Sequence, residues 1–192
     1  MEETKLDIRL IKEVPESELD SETRERAIYI ESDWNSYVYQ MTLSGKYNCE
    51  FIFISDFTPK NDDTLLLDNT LLFICTFNNI VVIDLEKGEI KQVLNFEIWQ
   101  IFGIYKFKSG YIVRAEGANV FLDGNLVVKW EEWGADIFVN PLVENEFEIF
   151  DDYFTAIDWC GYMHYYNESG NFKTEYHDEL NCDINLHPQN SG

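Results

Sequence analysis

One pattern constrains the fold more than any other: an apolar strand, a turn carrying Asp or Asn with Gly, then a second amphipathic strand. It recurs at residues 80–90, 120–128 and 163–172, and each copy reads as a β-hairpin. The turn Asp123-Gly124 is the sharpest of the three, because a two-residue type I′ connection needs positive φ at both central positions. A further strand precedes each hairpin, at residues 71–77, 111–115 and 154–159, and residues 37–47 form a fourth, fainter copy. The turn glycines Gly45, Gly88, Gly124 and Gly170 stand 43, 36 and 46 residues apart. Those spacings lie near the period of a propeller blade, about 40–45 residues with four strands. The expected fold class is therefore all-β, a propeller-like array of antiparallel hairpin repeats making three to four blades. A β-meander folded into a sandwich or open barrel carries similar hairpins and stands as the alternative.

Around this core text the chain is expected to be a single domain, 1–192, long enough to bury roughly 70% of its unfolded surface. A short N-terminal helix is expected at about 15–26, with Pro15 in its first turn and Arg24 and Arg26 in its last. The β repeats should run over about 28–180, followed by a loose C-terminal tail at 183–192. With 14 Phe, 11 Tyr and 5 Trp, the chain has the large apolar side chains that a disordered acidic segment lacks.

Charge comes next, because it bears on partners rather than on fold. The 36 Asp and Glu outnumber the 14 Lys and Arg, for a formal net charge of −22. The excess is lopsided: residues 130–192 hold 14 carboxylates and one base, Lys173. Concentrated like charge destabilises a fold by self-repulsion, so a basic protein partner is the expected counterpart. Direct nucleic-acid binding is not expected, since phosphate contacts need basic patches. No membrane partner is expected either, because no apolar run approaches about 18 residues. The opening Met1-Glu2-Glu3-Thr4-Lys5 lacks an apolar leader, so a cytoplasmic location is expected, with Cys49, Cys75, Cys160 and Cys182 as reduced thiols.

No nucleophile elbow, phosphate-cradling loop, dinucleotide fingerprint or His-Glu-x-x-His occurs, so neither enzymatic activity nor a cofactor is expected. One cluster has the residue types of a zinc site: Cys160, His164, His177 and Cys182. Its spacing argues against a shared ion. Cys160 and His164 fall on one predicted strand, about 13 Å apart at that rise, unless Gly161 kinks it. No metal is therefore expected, with the cysteines packed as small hydrophobes.

The stronger candidates alternate acid with aromatic. Trp130, Glu131, Glu132, Trp133 and Asp136 form one segment, and Asp151, Asp152, Tyr153 and Asp158 the other. Carboxylates steer a basic partner and aromatic rings supply the buried anchor energy. Alternate strand residues face inward, so some of these rings belong to the core. On the segments 130–136 and 151–159, and in its size and acidity, the chain resembles the immunity proteins that accompany bacterial contact-dependent and other polymorphic toxins. That resemblance implies a non-enzymatic cytoplasmic inhibitor of one cognate basic toxin domain, often a nuclease. The alternatives are a nucleic-acid-mimicking inhibitor from a mobile element, a scaffold or interaction subunit, and a zinc-dependent enzyme built on the Cys/His cluster.

Overall fold

A computed structural model describes residues 5–14, 21, 28–29, 36–47, 49–55, 62–97 and 100–186. Apart from Ser21, the helix expected at 15–26 lies outside the described residues, as do residues 187–192 of the expected tail. Among the described residues, sixteen strands form four sheets of four strands each. The first contains β1 (Lys5–Val14), β2 (Ile28–Tyr29), β3 (Ser36–Ser44) and β4 (Cys49–Ser55) in the order β1-β3-β4-β2. The second runs in chain order through β5 (Leu65–Asp68), β6 (Leu71–Cys75), β7 (Asn79–Asp84) and β8 (Glu89–Asn95). So does the third, through β9 (Ile101–Phe107), β10 (Gly110–Ala115), β11 (Ala118–Leu122) and β12 (Val128–Trp133). The fourth follows suit with β13 (Phe147–Ile149), β14 (Phe154–Ile157), β15 (Tyr162–Asn167) and β16 (Gly170–Tyr176). One turn of α-helix, α1 (Cys182–Asn185), stands at the start of the expected loose tail.

The chain is thus all-β, and four separate four-stranded sheets, three of them wholly antiparallel, make it a propeller-like array rather than a sandwich or barrel. Two details differ from expectation. Strand pairing begins at Lys5, well before residue 28, and the first sheet is not a plain meander, because β2 pairs parallel to β4.

The hairpins fall where the sequence puts them, but the Asp123-Gly124 turn is not type I′. Positive φ sits at Leu126 (66°) and not at Gly124. The Asp123 carboxylate takes the backbone N–H groups of Asn125 and Val127, and Leu126 N–H donates to the Asp123 carbonyl. This side-chain turn stretches the loop to five residues between Leu122 and Val128. Leu126 is 3% exposed, and burying its side chain offsets the cost of about 1–2 kcal/mol for a left-handed backbone. Gly124 is needed for another reason: a Cβ there would stand 2.9 Å from the Ser109 carbonyl oxygen.

The chain divides into two compact units, Met1–Asn95 and Phe96–Gly192. The first is built on Met41, Leu43, Leu72, Ile74, Val81 and Ile83, with Phe51 and Leu65 packed alongside. The second joins the third and fourth sheets: Phe107, Ile112 and Phe121 meet Phe138, Phe154, Ala156 and Tyr166. In the second, third and fourth sheets the last strand is largely exposed, while β6, β7, β10, β11 and β14 are buried along most of their length.

Candidate interaction surface

Both predicted segments lie in the second unit, and the structure divides their residues between core and surface. From Lys129 to Trp133 on β12 exposed and half-buried residues alternate. Trp130 points inward, stacking at 5.8 Å on Phe121, 6.1 Å on Phe154 and 5.6 Å on Tyr166. Its indole N–H donates to the Glu168 carbonyl at 3.1 Å. Trp130 is therefore a core ring joining two sheets rather than a contact anchor. Trp133 is 51% exposed and donates to the Glu131 carboxylate at 2.8 Å. Glu132 lies half-buried against Gly170, and Asp136 is exposed with one oxygen held by the Ile137 N–H.

Asp158 is the second correction, because its side chain is wholly buried. One carboxylate oxygen accepts from Tyr162 N–H at 2.9 Å; the other accepts from Ala135 N–H at 3.1 Å and lies 3.2 Å from His164 Nε2. Its own carbonyl takes the Asn140 amide at 2.9 Å. Asp158 thus fastens the loop after β12 to the fourth sheet and cannot meet a partner.

The Cys/His cluster is not one site. Cys160 lies in the turn after β14, which ends at Ile157, whereas His164 is on β15; they do not share a strand. His164 faces Asp158, His177 faces Glu179 at 3.3 Å, and the buried Cys182 thiol lies 3.5 Å from the Asn140 side-chain oxygen. Among the described residues no group of three or more His, Cys, Asp or Glu is placed to hold a metal ion. Burial pushes the Cys160 and Cys182 thiols up, and nearby aspartates, Asp158 and Asp183 among them, add to the shift.

The remaining predicted residues, Asp151, Asp152 and Tyr153, border a surface that the sequence reading missed. Asp151 and Asp152 are exposed, the latter 3.0 Å from Lys108 Nζ. Tyr153 stacks on Phe150 at 4.6 Å, and its ring lies 6.1 Å from Tyr165 and 6.3 Å from Phe172. Phe172 in turn stands 6.3 Å from Tyr165. These rings come from the loop before β14, from β15 and from the start of β16, and they form one continuous platform on the face of the fourth sheet opposite the core. Phe150 is 40% and Phe172 54% exposed, a grouping unlike the scattered single apolar residues of ordinary surfaces. Beside the platform lies an open groove of about 340 Å³, lined by Thr155, Ile157, Met163 and Tyr165 together with Val143 and Leu180.

Electrostatically the platform is acidic with one built-in cation. Lys173 pairs with Tyr165 across the β15–β16 ladder, and its ammonium lies 4.6 Å from the ring centroid and 2.7 Å from a Glu175 oxygen. The other Glu175 oxygen accepts from the Tyr165 hydroxyl at 2.7 Å. These hydrogen bonds, from Lys173 first and Tyr165 second, hold the Glu175 carboxyl below its ordinary range. Glu148 lines the groove, and Glu144 is exposed nearby in sequence.

No protein family and no curated protein matches the sequence. In three dimensions the chain is similar to BamB from Moraxella catarrhalis, at 10% identity and a TM-score of 0.49, over 79% of this chain and 51% of that one. It is similar as well to a chain of the mitotic checkpoint complex, at 12% identity and a TM-score of 0.45, over 60% of this chain and 37% of that one. The computationally designed Ika8 protein matches at 9% identity and a TM-score of 0.51, over 77% of this chain and 48% of its own. BamB and the designed protein are β-propellers, and the chain spans about half the length of either. At such identities the likeness concerns the fold alone. Among the described residues no helix is long and apolar enough to cross a membrane.

Proposed function

We propose that the chain is a non-enzymatic neutralising protein that binds a basic protein partner, a toxin domain of the nuclease kind, and blocks it by occupying its cationic surface. The observation that carries this reading is the aromatic platform of the fourth sheet, exposed at Phe150 and Phe172 within a region of 14 carboxylates and one base. Rim carboxylates raise the association rate by steering, while buried rings supply most of the affinity. Trp133, Glu131 and Asp136 extend the same character along β12 and the loop after it.

Isolation of the tagged chain from its own cells in low salt, followed by native mass spectrometry, tests the reading. A basic chain should appear at one-to-one stoichiometry, and its expression alone should arrest growth unless this chain is co-expressed. An acidic or neutral partner, or a basic one whose expression is harmless, would refute it.

A further inference from the structure

Strand β15 differs from its counterparts in the other sheets. It is the third strand of its meander, the place held by β7 and β11 in theirs. β7 is buried from Asn79 to Ile83 and β11 along its full length. On β15 only His164 and Tyr166 are buried, while Met163 and Tyr165 are half-covered. Yet the sequence Tyr162-Met163-His164-Tyr165-Tyr166 carries a large side chain at every position. A strand with one solvated face normally alternates apolar with polar residues, whereas a strand covered on both faces does not. By its residues β15 is a strand meant to be covered twice, and in the second unit only its core face is.

Resting on the reading of a basic partner, we infer that this face seats a basic segment of that partner, with an arginine or lysine side chain lying on the Tyr165 ring against Glu175 in the place now held by Lys173. Lys173 already shows that this ring and carboxylate hold a cation together, at 4.6 Å and 2.7 Å. It is the only base among residues 130–192, and its side chain is 50% exposed, so its ion pair is weak and easily exchanged. An arriving arginine gains more than the lysine loses, because its planar guanidinium stacks on Tyr165 while pairing with Glu175. The apolar part of the same segment fits the groove over Ile157 and Met163. Charge decides among occupants: a second copy of this chain would bring another −22 and an acidic segment would meet Glu148 and Glu175, so both are repelled.

The test uses the 192-residue chain carrying ¹³C at its methionine methyl groups. Met163 lies in the groove, whereas Met41 is fully buried in the other unit. The probe is a synthetic peptide in which arginine alternates with leucine; the control replaces arginine with glutamate. The arginine peptide should shift the Met163 methyl resonance to saturation and leave Met41 unmoved, while the glutamate peptide moves neither. Tyr165→Leu should weaken binding about tenfold, and Glu175→Gln, which keeps the shape of this half-buried side chain, a few-fold. Lys173→Met should tighten it about threefold by removing the competitor, more than Lys129→Met does. If the arginine peptide binds by fluorescence anisotropy without moving Met163, the site is overturned while the basic-partner reading survives. If it does not bind at all in low salt, both fall. Equal shifts from both peptides, or a Met163 shift that follows protein concentration alone, would replace the basic segment with a plain apolar groove or a second copy.

Discussion

Asp158 separates a surface account of the acidic region from a structural one, and its replacement by alanine has a calculable cost. The carboxylate is buried and accepts from the N–H groups of Tyr162 and Ala135, with His164 Nε2 at 3.2 Å. Alanine leaves two partly buried backbone donors without their acceptor, at up to about 1–3 kcal/mol each, and strips the buried His164 of its acceptor. Together the loss should be about 3–5 kcal/mol, the range for breaking one side of a buried polar pair. Against a typical stability of about 5–15 kcal/mol this is severe, and for a chain of this size it lowers Tm by about 10 °C. The matched control is Asp152→Ala. Its side chain is 89% exposed and its pair with Lys108 reaches solvent, so it should cost under about 1 kcal/mol. Urea denaturation followed by tryptophan fluorescence measures both. If Asp158→Ala costs no more than Asp152→Ala, the buried fastening described here is wrong and Asp158 returns to the surface.

Other consequences are equally direct. Trp130→Ala should destabilise by about 3 kcal/mol or more, since its ring bridges two sheets, whereas Trp133→Ala should leave the denaturation midpoint nearly unchanged and weaken partner binding instead. Among Cys75, Cys160 and Cys182, a thiol reagent should modify Cys160 first in the folded protein, as peptide mapping would show, because Cys75 and Cys182 are wholly buried. Glu175 has its pKa lowered by folding, so its contribution to stability is present above the unfolded-state carboxyl pKa and is lost as pH falls through the folded one. NMR titration should find Glu175 below the ordinary carboxylate range, and Lys173→Met should move it back up.

The hairpins were legible because turn chemistry and apolar alternation are local. Gly45, Gly88 and Gly170 do occupy positive-φ positions of the expected turns. Local reasoning failed where a side chain competed with the backbone: the Asp123 carboxylate captured two N–H groups and moved the left-handed residue to Leu126. It failed again where the answer lay between sheets. Alternation on β12 says that Trp130 and Trp133 face opposite ways, yet only tertiary packing decides that Trp130 faces the core. Asp158 beside Trp159 looks like a surface acid until the loop at Ala135 folds over it. The platform of Phe150, Tyr153, Tyr165 and Phe172 gathers residues from separate segments, which no single window displays. One signal was available: the unbroken run of large residues on β15.

The proposed function requires that the acidic, aromatic surface capture a basic protein by steering and then by burial. Its most direct test is the association rate with the isolated partner, measured by stopped-flow at low and at high salt. The rate should fall steeply as salt shortens the Debye length from about 30 Å at 0.01 M to about 8 Å at 0.15 M, with dissociation little changed. An association rate indifferent to salt would contradict it.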